Sequence, residues 1–121
     1  MSKFLISQSE TGFKFNLLAI NGQVILCSEV YTSRAAAIKG IVSIRHCAAA
    51  AQVENQTEEG WKTLTHPKFE MYQDKAGLFR FRLKARNGKI VGYSESYNNK
   101  AGCLNGIESV QNNAPGAETE G

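Results

Sequence analysis

The chain has little of the material from which catalytic and metal sites are usually built. Its 121 residues contain three cysteines and two histidines, and no two cysteines stand in a C-x-x-C pair. An odd number of isolated cysteines encodes neither a disulfide framework nor a thiolate zinc site. A Cys–His dyad gains no support either, because adjacent side chains such as His46 and Cys47 point different ways on a helix. We therefore expect no catalytic residue, no metal site and no cofactor, and a protein that is not an enzyme.

Long apolar runs and a strong charge of either sign are also missing. No run approaches the roughly 20 apolar residues that span a bilayer, and polar residues interrupt the amino-terminal segment before a signal-peptide core can form. The net charge is +3, from 14 Lys and Arg against 11 Asp and Glu. That charge is too small to indicate a nucleic-acid or membrane partner by itself. These features predict a cytoplasmic protein without a membrane partner.

What the chain does contain is one pattern written twice. The pair Asn21-Gly22 recurs 66 residues later as Asn87-Gly88, and residues 13–48 match residues 79–114 at 14 of 36 positions without a gap. Self-similarity of this extent indicates a repeat architecture. In both copies apolar residues alternate before Asn-Gly, which predicts a strand with one buried face. The Asn-Gly pair itself predicts a two-residue β-hairpin.

A helix is predicted to follow the strands in each copy. Ser33 in the first copy and Asn98-Asn99 in the second can cap its start. Apolar residues then recur at every third position, and we expect them to face the sheet: Ala35, Ile38, Ile41 and Ile44, and likewise Ala101, Leu104, Ile107 and Val110. Gly40 and Gly106 lie inside the helices, where glycine costs about 1 kcal/mol relative to alanine. We therefore expect a close approach at these glycines, either between the two helices or between each helix and the sheet.

These elements predict an α+β fold of two pseudo-twofold-related repeats that share one core. The two repeats are expected to share a core because one copy alone would bury too little surface. Each repeat is expected to be an antiparallel three-stranded β-meander followed by one helix (βββα). Whether a short strand at Val53 closes the first repeat is left open. The expected organisation is a first repeat at 1–50, a linker at 51–66, a second repeat at 67–115 and a tail at 116–121, which we expect to be mobile because it has no apolar anchor.

The second copy resembles the YegP-like family of small bacterial proteins, which occur as one such unit or as a tandem pair. The motifs that carry the resemblance are the segment from His66 to Gly77, Asn87-Gly88, Ser94-Glu95-x-Tyr97 and Asn112-Asn113-Ala114-Pro115. The first copy departs from them at Ile20 and at His46-Cys47-Ala48. The resemblance implies an α+β fold with one helix per repeat. It brings no activity, because the family is a domain of unknown function, and so no functional residue is carried over.

Two sets of polar residues are candidates for a binding site. The first set recurs at the end of each hairpin: Ser28, Glu29 and Tyr31, and Ser94, Glu95 and Tyr97. Its functional interpretation is a polar groove shared by the two repeats. Its structural interpretation, which we favour, is that the tyrosine packs onto the helix while serine and glutamate accept from backbone amides.

The second set is a row of cations on the strand face opposite the core: Arg80, Arg82, Lys84 and Arg86, with Lys89 beyond the turn. Such a row can hold phosphates, although Glu70 and Asp74 are expected to cover part of it. Leu18 and Ile20 lie on the corresponding face of the first copy and suit a protein partner. We therefore predict an uncharacterised binding or protein-interaction module, with weak nucleic-acid binding as the alternative.

Overall fold

The computed structural model describes residues 2–121, which form ten elements in two similar halves. The first half contains β1 (Lys3–Ser9), β2 (Gly12–Leu18), β3 (Val24–Cys27), α1 (Arg34–Ala48) and β4 (Gln52–Asn55). The second contains β5 (Lys68–Gln73), β6 (Phe79–Lys84), β7 (Ile90–Tyr93), α2 (Lys100–Asn113) and β8 (Glu118–Glu120). All the strands belong to one sheet in the order β4-β5-β6-β7-β3-β2-β1-β8. The α+β class and the tandem repeat are confirmed.

The two halves meet at the centre of the sheet, where β3 pairs with β7. The pair across this junction is Cys27 and Tyr93, which occupy the same position in the two repeats, so the pseudo-twofold axis passes between them. Next to the axis, Leu26 of the first half faces Gly92 of the second. A Cβ at Gly92 would lie 2.7 Å from Leu26 Cγ. Only one of the two equivalent positions can therefore carry a large side chain.

Each half ends in a strand that joins the other half, which makes the sheet mixed rather than purely antiparallel. After α1, β4 pairs in parallel with β5, and after α2, β8 pairs in parallel with β1. The expectation of a mobile tail at residues 116–121 is therefore wrong, since residues 118–120 form β8. Ala117 is 3% exposed, and the Arg45 guanidinium donates to its carbonyl at 2.6 Å. A single small side chain and backbone pairing supply the anchor that composition did not indicate.

The turns after β2 and β6 are longer than the predicted two-residue hairpin. A two-residue type I′ turn needs positive φ at both central residues, but only Gly22 and Gly88 have it, at 83° and 82°. Asn21 and Asn87 act through their side chains, whose Oδ1 atoms accept from the amides of Gln23 and Lys89 at 3.0 Å. Together with the amide of Gly88 donating to Ala85, this is the three-residue hairpin in which glycine follows the turn.

Both helices pack on one face of the sheet over a single core. The largest buried side chains alternate along equivalent strands of the two halves: Phe4, Phe15 and Leu17, and Phe69, Phe81 and Leu83. The caps predicted at Ser33 and Asn99 are confirmed. The predicted stripe is only partly right, because Ala35, Ala101 and Leu104 are exposed. Steps of three residues drift around a helix of 3.6 residues per turn, and the buried faces instead follow Ala37, Gly40, Ile41 and Ile44, and Cys103, Gly106, Ile107 and Val110.

Candidate functional site

The serines of the repeated Ser-Glu-x-Tyr motif fasten the strand ends. The amide of Phe15 donates to Ser28 Oγ at 2.8 Å, and this hydroxyl donates to the carbonyl of Glu29 at 2.8 Å. Ser94 makes the same two bonds, from the amide of Phe81 at 2.9 Å and to the carbonyl of Glu95 at 2.7 Å. Both serines are 2% exposed. A buried hydroxyl that already uses its proton in this way is a structural element of the turn.

The tyrosines of the motif explain the glycines inside the helices. Tyr31 stacks on Phe15 with ring centroids 6.0 Å apart, and Tyr97 stacks on Phe81 at 6.3 Å. A Cβ at Gly40 would lie 2.8 Å from Cζ of Tyr31, and the equivalent distance from Gly106 to Tyr97 is 2.7 Å. The close approach is therefore made by a tyrosine ring and not by helix or sheet backbone, which corrects our expectation. Burial raises the pKa of both tyrosines.

The glutamates of the motif do not serve the turn. Glu29 and Glu95 are exposed, and within residues 2–121 neither carboxylate accepts from a backbone amide. Glu95 Oε1 instead accepts from Cys27 Sγ at 3.8 Å. Burial and Glu95 raise the pKa of the Cys27 thiol, and burial, Cys27 and both glutamates raise the pKa of Tyr93. The motif thus separates into a structural part, its serines and tyrosines, and two exposed carboxylates near the axis.

The predicted basic row is largely neutralised by acidic neighbours. Arg80 Nε donates to Asp74 Oδ2 at 2.7 Å. Glu70 Oε1 accepts from Arg82 at 2.6 Å, while Lys84 Nζ lies 3.4 Å from Glu70 Oε2. The Arg82 guanidinium also lies 4.7 Å from the centre of the Tyr72 ring. A row of exposed cations without acidic partners would attract phosphates. Arg80, Arg82 and Lys84 do not form such a row, because each is paired with a carboxylate.

Arg86 and Lys89 lie outside that row. β6 ends at Lys84, so Arg86 belongs to the turn that follows and not to the alternating strand face. Both side chains are exposed, and neither belongs to an ion pair among residues 2–121. The predicted alternation along the strand therefore holds as far as Lys84 and is wrong for Arg86.

A buried ionic cluster lies beside the basic row, and the sequence analysis missed it. Lys68 Nζ lies 2.7 Å from Glu54 Oε1 and 3.2 Å from Glu70 Oε2, with all three side chains no more than 5% exposed. Glu54 also accepts from the amide of Leu64 and from Gln56 Nε2, both at 2.7 Å. The linker is thereby fastened over the outer face of the second half. Although burial alone would raise the pKa of Glu54, these hydrogen bonds hold it at about 2.

The outer face of the first half is different. A row of paired residues crosses the whole sheet on this side: Glu120, Leu5, Asn16, Cys27, Tyr93, Arg82, Glu70 and Glu54. On β4, β5 and β6 its members are Glu54, Glu70 and Arg82, which form ion pairs under and beside the linker. On β1, β2 and β3 of the first half, and on the adjoining β7, Leu5, Asn16, Leu18 and Cys27 are half-buried and Tyr93 is exposed, and we call these five residues the open face. The adjoining Ile20 is 75% exposed.

The thiols of Cys27 and Cys103 lie in surroundings that oppose ionisation. Cys103 is fully buried, which raises its pKa to about 11, and Cys47 is 5% exposed. Among residues 2–121, no three His, Cys, Asp or Glu side chains come together in an arrangement that could hold a metal ion. Neither helix of the same region is long and apolar enough to cross a membrane.

Comparison with known proteins identifies the repeat. The model of the family "Domain of unknown function (DUF1508)" matches residues 9–55 and 74–120, so each matched unit includes the closing strand β4 or β8. A UPF0339 protein of Pseudomonas aeruginosa is 36% identical over 117 residues, which cover 96% of this chain and 93% of that protein. A UPF0339 protein of Treponema denticola is 62% identical over 50 residues, 41% of this chain and 86% of that protein.

A solved structure extends the likeness to three dimensions. The solution structure of the protein of unknown function yegP from E. coli is 34% identical and superimposes with a TM-score of 0.77, covering 98% of this chain and 90% of that one. The expected resemblance to YegP-like proteins is confirmed. The family model matches both halves, including the strand that each half lends to the other. The protein therefore belongs to the DUF1508 (UPF0339) family of unknown function and carries two copies of its domain in tandem.

Proposed function

We propose that this protein is a non-enzymatic protein-interaction module that binds a partner protein through the open face. The observation that carries the proposal is the difference between the two outer faces of one sheet. In the second half, the linker and the ion pairs of Lys68 and Glu70 cover the face. On the strands of the first half and on the adjoining β7, the same side of the sheet presents partly buried Leu5 and Leu18, and Tyr93 at 39% exposure.

The composition of the open face suits a protein more than a nucleic acid. Aliphatic side chains with an exposed tyrosine are typical of the centre of protein interfaces, from which charged residues are depleted. Carboxylates flank its Tyr93 end, because Glu29 and Glu95 both raise the pKa of Tyr93, whereas Lys14 lies on the same face of β2 as Asn16. A phosphate backbone would be repelled by these carboxylates, and Arg80 and Arg82 of the second half are already paired.

The thiol surroundings support a role other than catalysis. A nucleophilic cysteine needs a lowered pKa and an electropositive neighbourhood. Here burial and Glu95 raise the pKa of Cys27, and burial raises that of Cys103 to about 11. Both effects reduce the thiolate fraction at neutral pH.

The experiment compares what the protein retains from native cell extract with what two variants retain, before and after nuclease treatment. Leu18→Lys places on the open face the residue that the second half carries at the equivalent position, Lys84. Leu104→Lys adds the same charge on α2, where Leu104 is 42% exposed. We expect a nuclease-resistant partner that Leu18→Lys loses and Leu104→Lys keeps. Retention of the same proteins by all three chains, or loss of the partner on nuclease treatment, would contradict the proposal.

Weak nucleic-acid binding is the alternative, and Arg86 and Lys89 are the exposed cations that would carry it. Its test is retention of labelled RNA or DNA at low salt, with an affinity that falls as salt rises. We expect no retention. A salt-dependent shift that Arg86→Ile and Lys89→Ala abolish would instead favour the alternative.

A further inference from the structure

A cavity of about 480 Å³ lies between the last turn of α1 and the turn that joins β6 to β7. Six residues line it: Ser43, His46 and Cys47 from the helix, and Ala85, Arg86 and Asn87 from the turn. Its volume lies within the range of small-molecule sites, about 300–1,000 Å³. It is separate from the open face, since α1 packs on the opposite side of the sheet.

The lining brings two groups that can carry positive charge to one space. Arg86 presents a guanidinium and His46 an imidazole, and none of the described residues that line the cavity is acidic. The Arg86 guanidinium enters no ion pair within residues 2–121. A planar guanidinium with five N–H donors matches the oxygens of a carboxylate or a phosphate.

The remaining lining residues supply a polar donor and an apolar wall. Asn87 uses its Oδ1 to accept from the amide of Lys89, which leaves the two donors of its amide nitrogen for another acceptor. Among residues 2–121, the hydrogen-bonding contact of Ser43 Oγ is a 4.0 Å approach to Cys47 Sγ. Ala85 and Cys47 are 6% and 5% exposed and form the apolar part of the wall.

The equivalent position in the other half lacks this chemistry. Ile20 stands where Arg86 is, and Asn112 stands where His46 is. Asn113, at the position of Cys47, donates to the carbonyl of Ser109 at 2.8 Å and to its Oγ at 3.1 Å. The combination of Arg86 and His46 is therefore confined to one of two equivalent places in the fold, which shows that the fold does not require it.

We propose that this cavity binds a small organic anion whose carboxylate or phosphate group pairs with Arg86. The imidazole of His46 and the amide of Asn87 donate to the remaining oxygens of the anion. The body of the ligand packs on Ala85 and Cys47. The site does not depend on the proposed role of the open face.

The test is a titration of the ¹⁵N-labelled protein followed by amide chemical shifts, with phenyl phosphate, benzoate and inorganic phosphate as separate probes. We expect saturable shifts at residues 43–48 and 85–89, and none at the equivalent residues 19–23 and 109–114, which serve as an internal control. A preference for phenyl phosphate or for benzoate assigns the anionic group. Binding of inorganic phosphate as tight as that of phenyl phosphate would contradict a role for the apolar wall.

Two variants distinguish binding in the cavity from non-specific electrostatic attraction. Arg86→Ile copies Ile20 of the other turn, so the hairpin is expected to keep its form, and the spectrum outside the cavity checks this. We expect at least a tenfold loss of affinity in Arg86→Ile and less than a twofold change in Lys89→Ala, which removes a cation from the same turn but not from the cavity wall. Equal weakening by both variants would overturn the proposal. So would shifts of equal size in both turns, or no shift with any probe at millimolar concentration.

Discussion

The two halves contain the same ion pair in two different settings. Lys68 and Glu54 join β5 to β4 at 2.7 Å, and Lys3 and Glu120 join β1 to β8 at 2.6 Å. The first pair is 4% and 1% exposed, whereas the second is 40% and 56% exposed. The difference is the linker, which lies over the first pair and donates the amide of Leu64 to Glu54.

The comparison shows that the repeat determines which residues pair, while the surroundings determine how much the pair contributes to stability. An exposed ion pair contributes about 0–1 kcal/mol. Removing one partner of a buried pair costs about 3–5 kcal/mol, because the other charge stays buried without its neutraliser. One duplicated contact can therefore be dispensable in one half and essential in the other.

The largest expected effect comes from removing the lysine of each pair in turn. Lys68→Met keeps most of the side-chain volume but leaves Glu54 buried without a cation, and we expect it to lower the free energy of unfolding by about 3–5 kcal/mol. Lys3→Met is the matched control and should cost less than about 1 kcal/mol. Urea unfolding followed by circular dichroism measures both. Equal losses in the two variants would show that burial under the linker does not set the energy.

The next effect tests the equivalence of the two backbones at the axis. Gly92→Leu places a second leucine against Leu26, where even a Cβ would lie 2.7 Å from Leu26 Cγ, and we expect a loss of about 1–3 kcal/mol. The exchanged variant, Leu26→Gly with Gly92→Leu, moves the large residue to the other side of the axis. It should regain most of the lost stability in thermal unfolding. An exchanged variant less stable than Gly92→Leu alone would contradict the pseudo-symmetry.

Acid tests the same buried pair more gradually, because the stability changes over several pH units. The pKa of Glu54 is lowered from 4.5 to about 2 on folding, so its contribution to stability is fully present above pH 4.5 and is lost as pH falls towards 2. One such proton changes the free energy of unfolding by at most about 1.4 kcal/mol per pH unit. Glu54→Gln should flatten the dependence between pH 4.5 and 2, leaving the part that comes from Glu70, whose pKa is also lowered. A slope unchanged in Glu54→Gln would count against this assignment.

The smallest expected effect is that of the two exposed glutamates near the axis. Because neither Glu29 nor Glu95 supports the backbone, the double replacement by glutamine should change the free energy of unfolding by no more than about 0.5 kcal/mol. It should nevertheless lower the pKa of Tyr93, since both carboxylates raise it. Thermal unfolding and an NMR titration of the tyrosine ring measure the two quantities. A melting temperature lower by several degrees would restore a structural role to these glutamates.

The sequence predicted the features that depend on local periodicity. Alternation of Phe13, Phe15 and Leu17 indicated β2, and the caps at Ser33 and Asn99 indicated where the helices begin. The duplication itself was visible because neighbouring residues in both copies occupy the same kind of surroundings. These signals arise within a few residues of each other, so they survive in a single sequence.

Features that depend on distant pairing were not predictable in the same way. Nothing near Glu118 indicates that β8 pairs with β1, because that partner lies at the other end of the chain. Nor does Glu54 differ locally from an exposed glutamate, although Lys68 and Glu70 alternating with buried Phe69 and Met71 could have suggested a covered outer face. The cavity beside Arg86 depends on bringing the end of α1 to a turn of the other half.

The pairing of β1 with β8 also sets the order of events when the chain is made. During synthesis β1 precedes β8 by the length of both repeats, so β1 stays without this partner until the second repeat has been made. Contacts between such distant residues slow folding, and an unpaired strand edge can recruit another chain during the delay. Until β8 has paired with β1, the free edge makes the chain the sort of folding intermediate that chaperones hold.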